Sequence, residues 1–122
     1  APIYAQLILQ IKVGIVSGTF SPGERLPSVR DLAMEAGVTP NTMQRALTEL
    51  ERDGLVYSQR TAGRFVTEDQ SMIDTAKRGL AERHIQDFLA AMGQLGYKRE
   101  EIVALLRQET SKEGITDGGA GM

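Results

Sequence analysis

The residues most suited to chemistry lie in one short stretch: Asn41, Thr42, Gln44, Arg45 and Thr48. At about 100° per residue on a helix, Met43, Ala46, Leu47 and Leu50 make one apolar face. Asn41, Arg45 and Thr48 then point away from it, with Thr42 and Gln44 on the flanks. The amides of Asn and Gln can pair with the edge of adenine and Arg with guanine, while Thr suits a phosphate or a thymine methyl. The opening turns of this helix carry no acid, and Arg30, Arg45, Arg60 and Arg64 could converge on one surface with it; Glu49 and Glu51 weigh against an anionic partner. The same pattern also fits the solvated side of an ordinary surface helix.

Other chemistries find little support. The chain has no Cys, which excludes a disulfide framework, a thiolate metal site and a cysteine nucleophile together. His84 is the single histidine and receives no role. No phosphate loop or convincing carboxylate pair is present. The expectation is therefore no enzyme, no metal and no cofactor, and nothing in the sequence identifies a small-molecule effector.

Several elements must position the polar stretch. Tyr4, Leu7, Ile8, Ile11 and Ile15 follow helical spacing from Pro2 to Gly18. Ser21-Pro22-Gly23-Glu24 has the composition of a type II turn, with room for one short flanking strand. Ser28 with Asp31 forms an acidic capping box for a short second helix bearing Val29, Leu32 and Ala33 and closed by Gly37. Thr39 caps the third helix, Pro40 takes its first position, and Gly54 closes it.

Within residues 28–52, Ala33 permits close helix crossing, Gly37 tolerates a left-handed turn, and Met43 anchors the second helix of the pair. This spacing is that of a helix-turn-helix, and an ordinary αα-hairpin shares it. Residues 55–59 and 65–67 then read as strands, with Arg60-Thr61-Ala62-Gly63-Arg64 as the hairpin tip. A hairpin directly behind a recognition helix predicts a winged helix-turn-helix. Glu68-Asp69-Gln70-Ser71 marks the exit from this head.

Beyond it, Ile73, Ala76, Leu80, Ile85, Phe88, Leu89, Met92 and Leu95 run at helical spacing up to Gly96, and Ile102, Val103, Leu105 and Leu106 belong to a second helix from Tyr97. Two helices cannot bury both apolar faces alone, so the stripe needs a partner surface. A second copy would supply a dimer seam; packing of the stripe onto the first helix is the alternative. The fold class is α+β, mainly α, in three parts: a winged helix-turn-helix over residues 1–69, a helical dimerisation tail over 70–113, and a Gly-rich, frayed C-terminus over 114–122.

The 122-residue chain has a formal net charge of −2, and neither residues 1–70 nor residues 71–122 are basic, each with seven Lys or Arg against eight Asp or Glu. A phosphate-binding surface must therefore be local, since screening confines surface charge to about 8–10 Å. The absence of Cys, of a membrane-length apolar run and of a targeting pattern points to the cytoplasm.

Residues 2–67 resemble the winged-helix domain of the GntR family. The resemblance is carried by Pro2-Ile3-Tyr4 with Gln6, by the run from Gly18 through Gly23-Glu24-Arg25-Leu26-Pro27-Ser28 to Ala33, and by Val38-Thr39-Pro40-Asn41-Thr42. Ala46, Leu50-Glu51, Asp53-Gly54-Leu55 and Phe65-Val66 extend it. It implies DNA contacts from Ser28 and Arg30 at the start of the second helix, from Thr39, Asn41, Thr42, Gln44 and Arg45, and from Arg60, Thr61, Gly63 and Arg64 of the wing. The wing departs from the usual Arg-Gly-x-Gly-Thr tip, with Thr61 and Arg64 replacing the first Gly and the Thr. The short tail, through Gly96-Tyr97-Lys98 and Glu100-Glu101-Ile102, is similar to that of the YtrA-type subfamily. That likeness implies a dimerisation element and regulation of ABC-transporter genes.

The expectation is a homodimeric regulator of double-stranded DNA, a repressor on an inverted repeat, with no membrane partner. A dimer would set its recognition helices about 34 Å apart or a multiple of that. The alternative is a winged helix used for protein interaction or replication initiation, which gives no reason for the pattern from Thr39 to Arg45.

Overall fold

The computed structural model describes residues 3–112. The expectations for Pro2 in the first helix and for a frayed end over 114–122 lie outside the described residues.

Helix α1 (Ile3–Val16) buries Leu7, Ile11 and Ile15, one residue per turn. Helix α2 (Val29–Ala36) starts where the Ser28 hydroxyl accepts the Asp31 N–H at 3.0 Å, satisfying one of the amides that the first turn leaves unpaired. It stops at Gly37, whose φ of +72° would cost a residue with a Cβ about 1–2 kcal/mol. The reversed chain is held by the Val38 N–H on the Ala33 carbonyl at 3.0 Å. Helix α3 (Pro40–Arg52) begins with the Thr39 hydroxyl accepting the Thr42 N–H at 3.2 Å, and Pro40 takes the first position, where no N–H is needed.

These three helices close on one core. Ala33 is 1 % exposed, Met43 2 % and Ala46 0 %, so the small residue at the crossing and the anchor beyond the turn stand where a helix-turn-helix needs them. Leu26, Leu32, Leu47, Leu50, Leu55, Val56, Val66 and Ile73 complete the core with the α1 residues.

Strands β1 (Val56–Gln59) and β2 (Gly63–Val66) pair antiparallel in the register Val56↔Val66 through Gln59↔Gly63. The cross-strand pair Tyr57 and Phe65 stacks with ring centroids 5.7 Å apart. The flanking strand left open by the sequence is reduced to one bridge, Arg25↔Phe65, framed by Leu26 N–H to Arg64 carbonyl and Val66 N–H to Glu24 carbonyl, both at 2.9 Å. The turn from Ser21 to Glu24 that delivers it is closed by the Glu24 N–H on the Ser21 carbonyl at 3.0 Å.

The hairpin tip is shorter than its composition suggests. A single 3-10 turn over Arg60–Ala62, with Arg60 at φ +30°, reverses the chain, so Gly63 and Arg64 are ladder residues. Helix α4 (Gln70–Gln94) likewise starts before the first apolar residue of its stripe. The Asp69 carboxylate accepts the Ser71 and Met72 N–H groups at 3.1 and 3.2 Å and the Ser71 hydroxyl at 2.7 Å, so a cap decides the boundary. Helix α5 (Arg99–Lys112) follows a turn in which the Tyr97 N–H reaches the Met92 carbonyl at 3.2 Å. The Glu101 carboxylate reaches back to the Lys98 N–H at 2.8 Å, as in the reciprocal half of a capping box.

The described residues divide into two compact units, one ending at Leu80 and the other starting at Ala81. Among the described residues, no helix is long and apolar enough to cross a membrane.

Candidate nucleic-acid interface

The core face of α3 is fully committed: Met43, Ala46, Leu47 and Leu50 are buried. Asn41, Gln44 and Arg45 are exposed on the other side and Thr42 is half-buried. Three hydroxyls are already engaged, since Thr39 and Thr42 share a hydrogen bond at 3.0 Å and Thr48 donates to the Gln44 carbonyl at 2.9 Å. Asn41, Gln44 and Arg45 thus keep side-chain donors to offer in the first two turns of α3.

Arg45 does not simply point opposite the core. Its guanidinium carbon sits 4.2 Å from the centroid of the Tyr4 ring, which places Arg45 on the α1 side of the exposed face. The two acids that weighed against an anionic partner are both engaged. Glu49 pairs with Arg52 at 2.9 Å, and Glu51 accepts from the Ser58 hydroxyl and from Arg64 Nε, the latter at 2.6 Å. Burial works against the Glu51 charge, but the Ser58 and Arg64 hydrogen bonds and the Arg64 charge outweigh it and hold its carboxyl below the ordinary value. Their paired charges leave the α3 surface less hostile to phosphate than its composition suggests.

The start of α2 and the base of the wing come together. A cleft of about 320 Å³ is lined by Arg25, Ser28, Ser58, Arg60, Gly63 and Arg64, among others. Ser28, Arg60, Gly63 and Arg64 were expected at the interface, and the fold gathers them; Arg30 and Thr61 are exposed on the same two elements. Arg64 has a different task from a free cation, because its Nε is bound to Glu51 and its side chain is only 18 % exposed. Among the described residues, no carboxylate pairs with Arg25, Arg30 or Arg60.

Arg25 is the residue that sequence reasoning assigned no role. Its place in the cleft depends on the bridge to Phe65 and on Gly63, where an added Cβ would stand 3.0 Å from Arg25 Nε. The only available signal was the Pro22-Gly23 turn, which returns the chain toward the wing without showing which strand it meets.

The apolar stripe of the tail divides in two. Ile73 is 3 % exposed within the head core and Ala76 packs against that core, so both are occupied within the chain itself. Leu80, Leu89, Met92 and Leu105 are half-buried and Ile102 is buried. Ile85, Phe88 and Leu106 are left 53, 37 and 45 % exposed. His84 is exposed as well.

The family described as bacterial regulatory proteins, gntR family, matches residues 3–66. YhcF of Bacillus subtilis, an uncharacterized HTH-type transcriptional regulator, is 38 % identical over 121 residues, covering 97 % of this chain and 93 % of that protein. YtrA of the same bacterium, an HTH-type transcriptional repressor, is 43 % identical over 68 residues, 56 % of this chain and 52 % of its own length. Among solved structures, the AraR DNA-binding domain in complex with its operator ORX1 superposes with a TM-score of 0.53 at 33 % identity, covering 55 % of this chain and 81 % of that one.

Proposed function

The chain belongs to the GntR family of bacterial regulatory proteins, and we propose that it represses transcription by occupying an inverted-repeat operator as a homodimer. The family and its relatives are DNA-binding regulators of transcription rather than enzymes. The observation that carries the reading is the exposed row Asn41, Gln44 and Arg45 on α3, together with Arg25 and Arg60 in the cleft at the wing base and Arg30 on α2, none of which pairs with a carboxylate among the described residues. Donors to base edges stand on α3, and cations for phosphates stand at the start of α2 and the base of the wing.

In this reading residues 1–69 are the reading head and 70–113 the dimerisation tail, acting in the cytoplasm, where the DNA lies. The exposed Ile85, Phe88 and Leu106 support a partner for the tail. A two-fold pair would present two recognition helices to half-sites about 34 Å apart, or a multiple of that. Operator occupancy then blocks transcription by excluding polymerase. The YtrA-type likeness of the tail extends the proposal to ABC-transporter genes as targets.

The test is selection of bound duplexes from a random pool at two salt concentrations, with Arg45→Ala alongside. A palindromic motif that loses defined bases with Arg45→Ala supports operator reading by α3. An unenriched pool with steep salt dependence alone would leave backbone binding and favour a protein-interaction module instead.

A further inference from the structure

The side chain best placed to read a base on α3 is also the one that is held from another helix. Arg45 carries its guanidinium 4.2 Å above the centroid of the Tyr4 ring, and among the described residues no carboxylate pairs with it. A free arginine on an exposed helix face samples many rotamers, whereas bidentate pairing with guanine demands one placement of the planar fork. A ring face under the guanidinium restricts that sampling while its edge N–H groups stay available.

We propose that Tyr4 is a positioning residue that fixes Arg45 for reading one base pair, so that α1 contributes to operator specificity. The proposal rests on the reading of α3 as the base-reading helix. Three observations carry it. The ring is held in place: Tyr4 is half-buried and stands one turn before Leu7, which is 5 % exposed in the core shared with Met43 and Leu47. The contact spans two helices packed on each other, so its geometry follows from the fold rather than from local sequence. Arg45 is exposed, so the surface of its guanidinium away from the ring faces solvent, where a base edge can approach. The ring face supplies the attraction, so the phenolic hydroxyl is dispensable.

The experiment measures binding of the full chain to its selected operator and to single-base variants of it, for the wild type, Tyr4→Phe, Tyr4→Leu, Arg45→Ala and the double variant Tyr4→Leu with Arg45→Ala. Tyr4→Leu is expected to weaken discrimination about two- to five-fold, at the same base pair that Arg45→Ala affects. Discrimination elsewhere and the salt slope stay unchanged. Tyr4→Phe keeps wild-type discrimination, and Tyr4→Leu adds nothing once Arg45 is gone. Circular dichroism checks the fold of each variant, and Tyr4→Met replaces Tyr4→Leu if the latter does not fold.

Equal loss at every base, or a Tyr4→Phe variant as poor as Tyr4→Leu, overturns the proposal. If Arg45→Ala leaves all base preferences intact, the reading of α3 fails with it. If Arg45→Ala acts at a defined base and Tyr4→Leu does not, only the role of Tyr4 falls.

Discussion

Glu51, in the last turn of α3, accepts a hydrogen bond from Arg64 Nε on β2 at 2.6 Å, and so ties the wing to the helix that precedes it. The pair is partly buried, and Ser58 on the facing strand donates to the same carboxylate oxygen. A wing anchored in this way presents Arg60 and Thr61 from a fixed base even though its tip lacks one of the family's usual glycines. It also means that Arg64 supports the interface rather than supplying a free cation to it.

This anchor should titrate. The folded state holds the Glu51 carboxyl below its ordinary value, because hydrogen bonds from Ser58 and Arg64 outweigh the penalty of burial. A depressed folded pKa stabilises the protein above the unfolded value of about 4.3 and loses that contribution as pH falls through the folded one. Glu51→Gln is therefore expected to cost about 1 kcal/mol at pH 7 and less at about pH 3, as the carboxyl begins to take up its proton. Urea denaturation at the two pH values checks it; an equal deficit at both would show that the charge is not what matters.

Arg25→Ala and Arg60→Ala should behave differently from Gln44→Ala. The first two remove cations from the cleft at the wing base and should weaken binding to all sequences alike, lowering the salt slope by about 1 each. Gln44→Ala should cost about 1–3 kcal/mol at a defined base pair and leave the slope unchanged. Fluorescence anisotropy across a salt series, with operator and scrambled duplexes, separates the two classes.

Phe88→Glu and Leu106→Glu place charge on apolar positions that are 37 and 45 % exposed in the single chain. If the tail is the dimer seam, both should sediment as monomers and bind a full inverted repeat little better than a half-site. The melting temperature of the head should change little. A variant that stays dimeric would locate the seam elsewhere.

Gly37→Ala tests the turn of the helix-turn-helix. A Cβ there meets nothing within 4 Å, so its cost comes from φ +72° alone, about 1–2 kcal/mol for Ala. Gly37→Asn should cost less, because Asn tolerates the left-handed region. Chemical denaturation of both variants decides between backbone strain and hidden crowding, which would penalise Asn more.

Much of the head was legible because its signals are local. Ser28, Thr39, Pro40 and Gly37 each act within one turn of chain, so helix boundaries at α2 and α3 follow from residue type alone. Boundaries were missed where the deciding bond came from a residue read as linker, as with Asp69 at the start of α4. They were also missed where a tight turn shortened a loop, as at Arg60–Ala62.

By itself the sequence determined the winged helix-turn-helix, its order of elements and the polar face of α3, because the period of apolar residues fixes which side of each element must be buried. Tertiary structure alone decided which charges are free. Arg64 and Glu51 lie thirteen positions apart and Tyr4 and Arg45 lie on different helices, and no pattern along one helix reveals such partners. Pairing across elements consumed Arg64 and Glu51 and stacked Arg45 on a ring, while among the described residues no carboxylate pairs with Arg25, Arg30 or Arg60. The sign and placement of charge on the interface thus come from contacts between elements, which exist only once the core has closed.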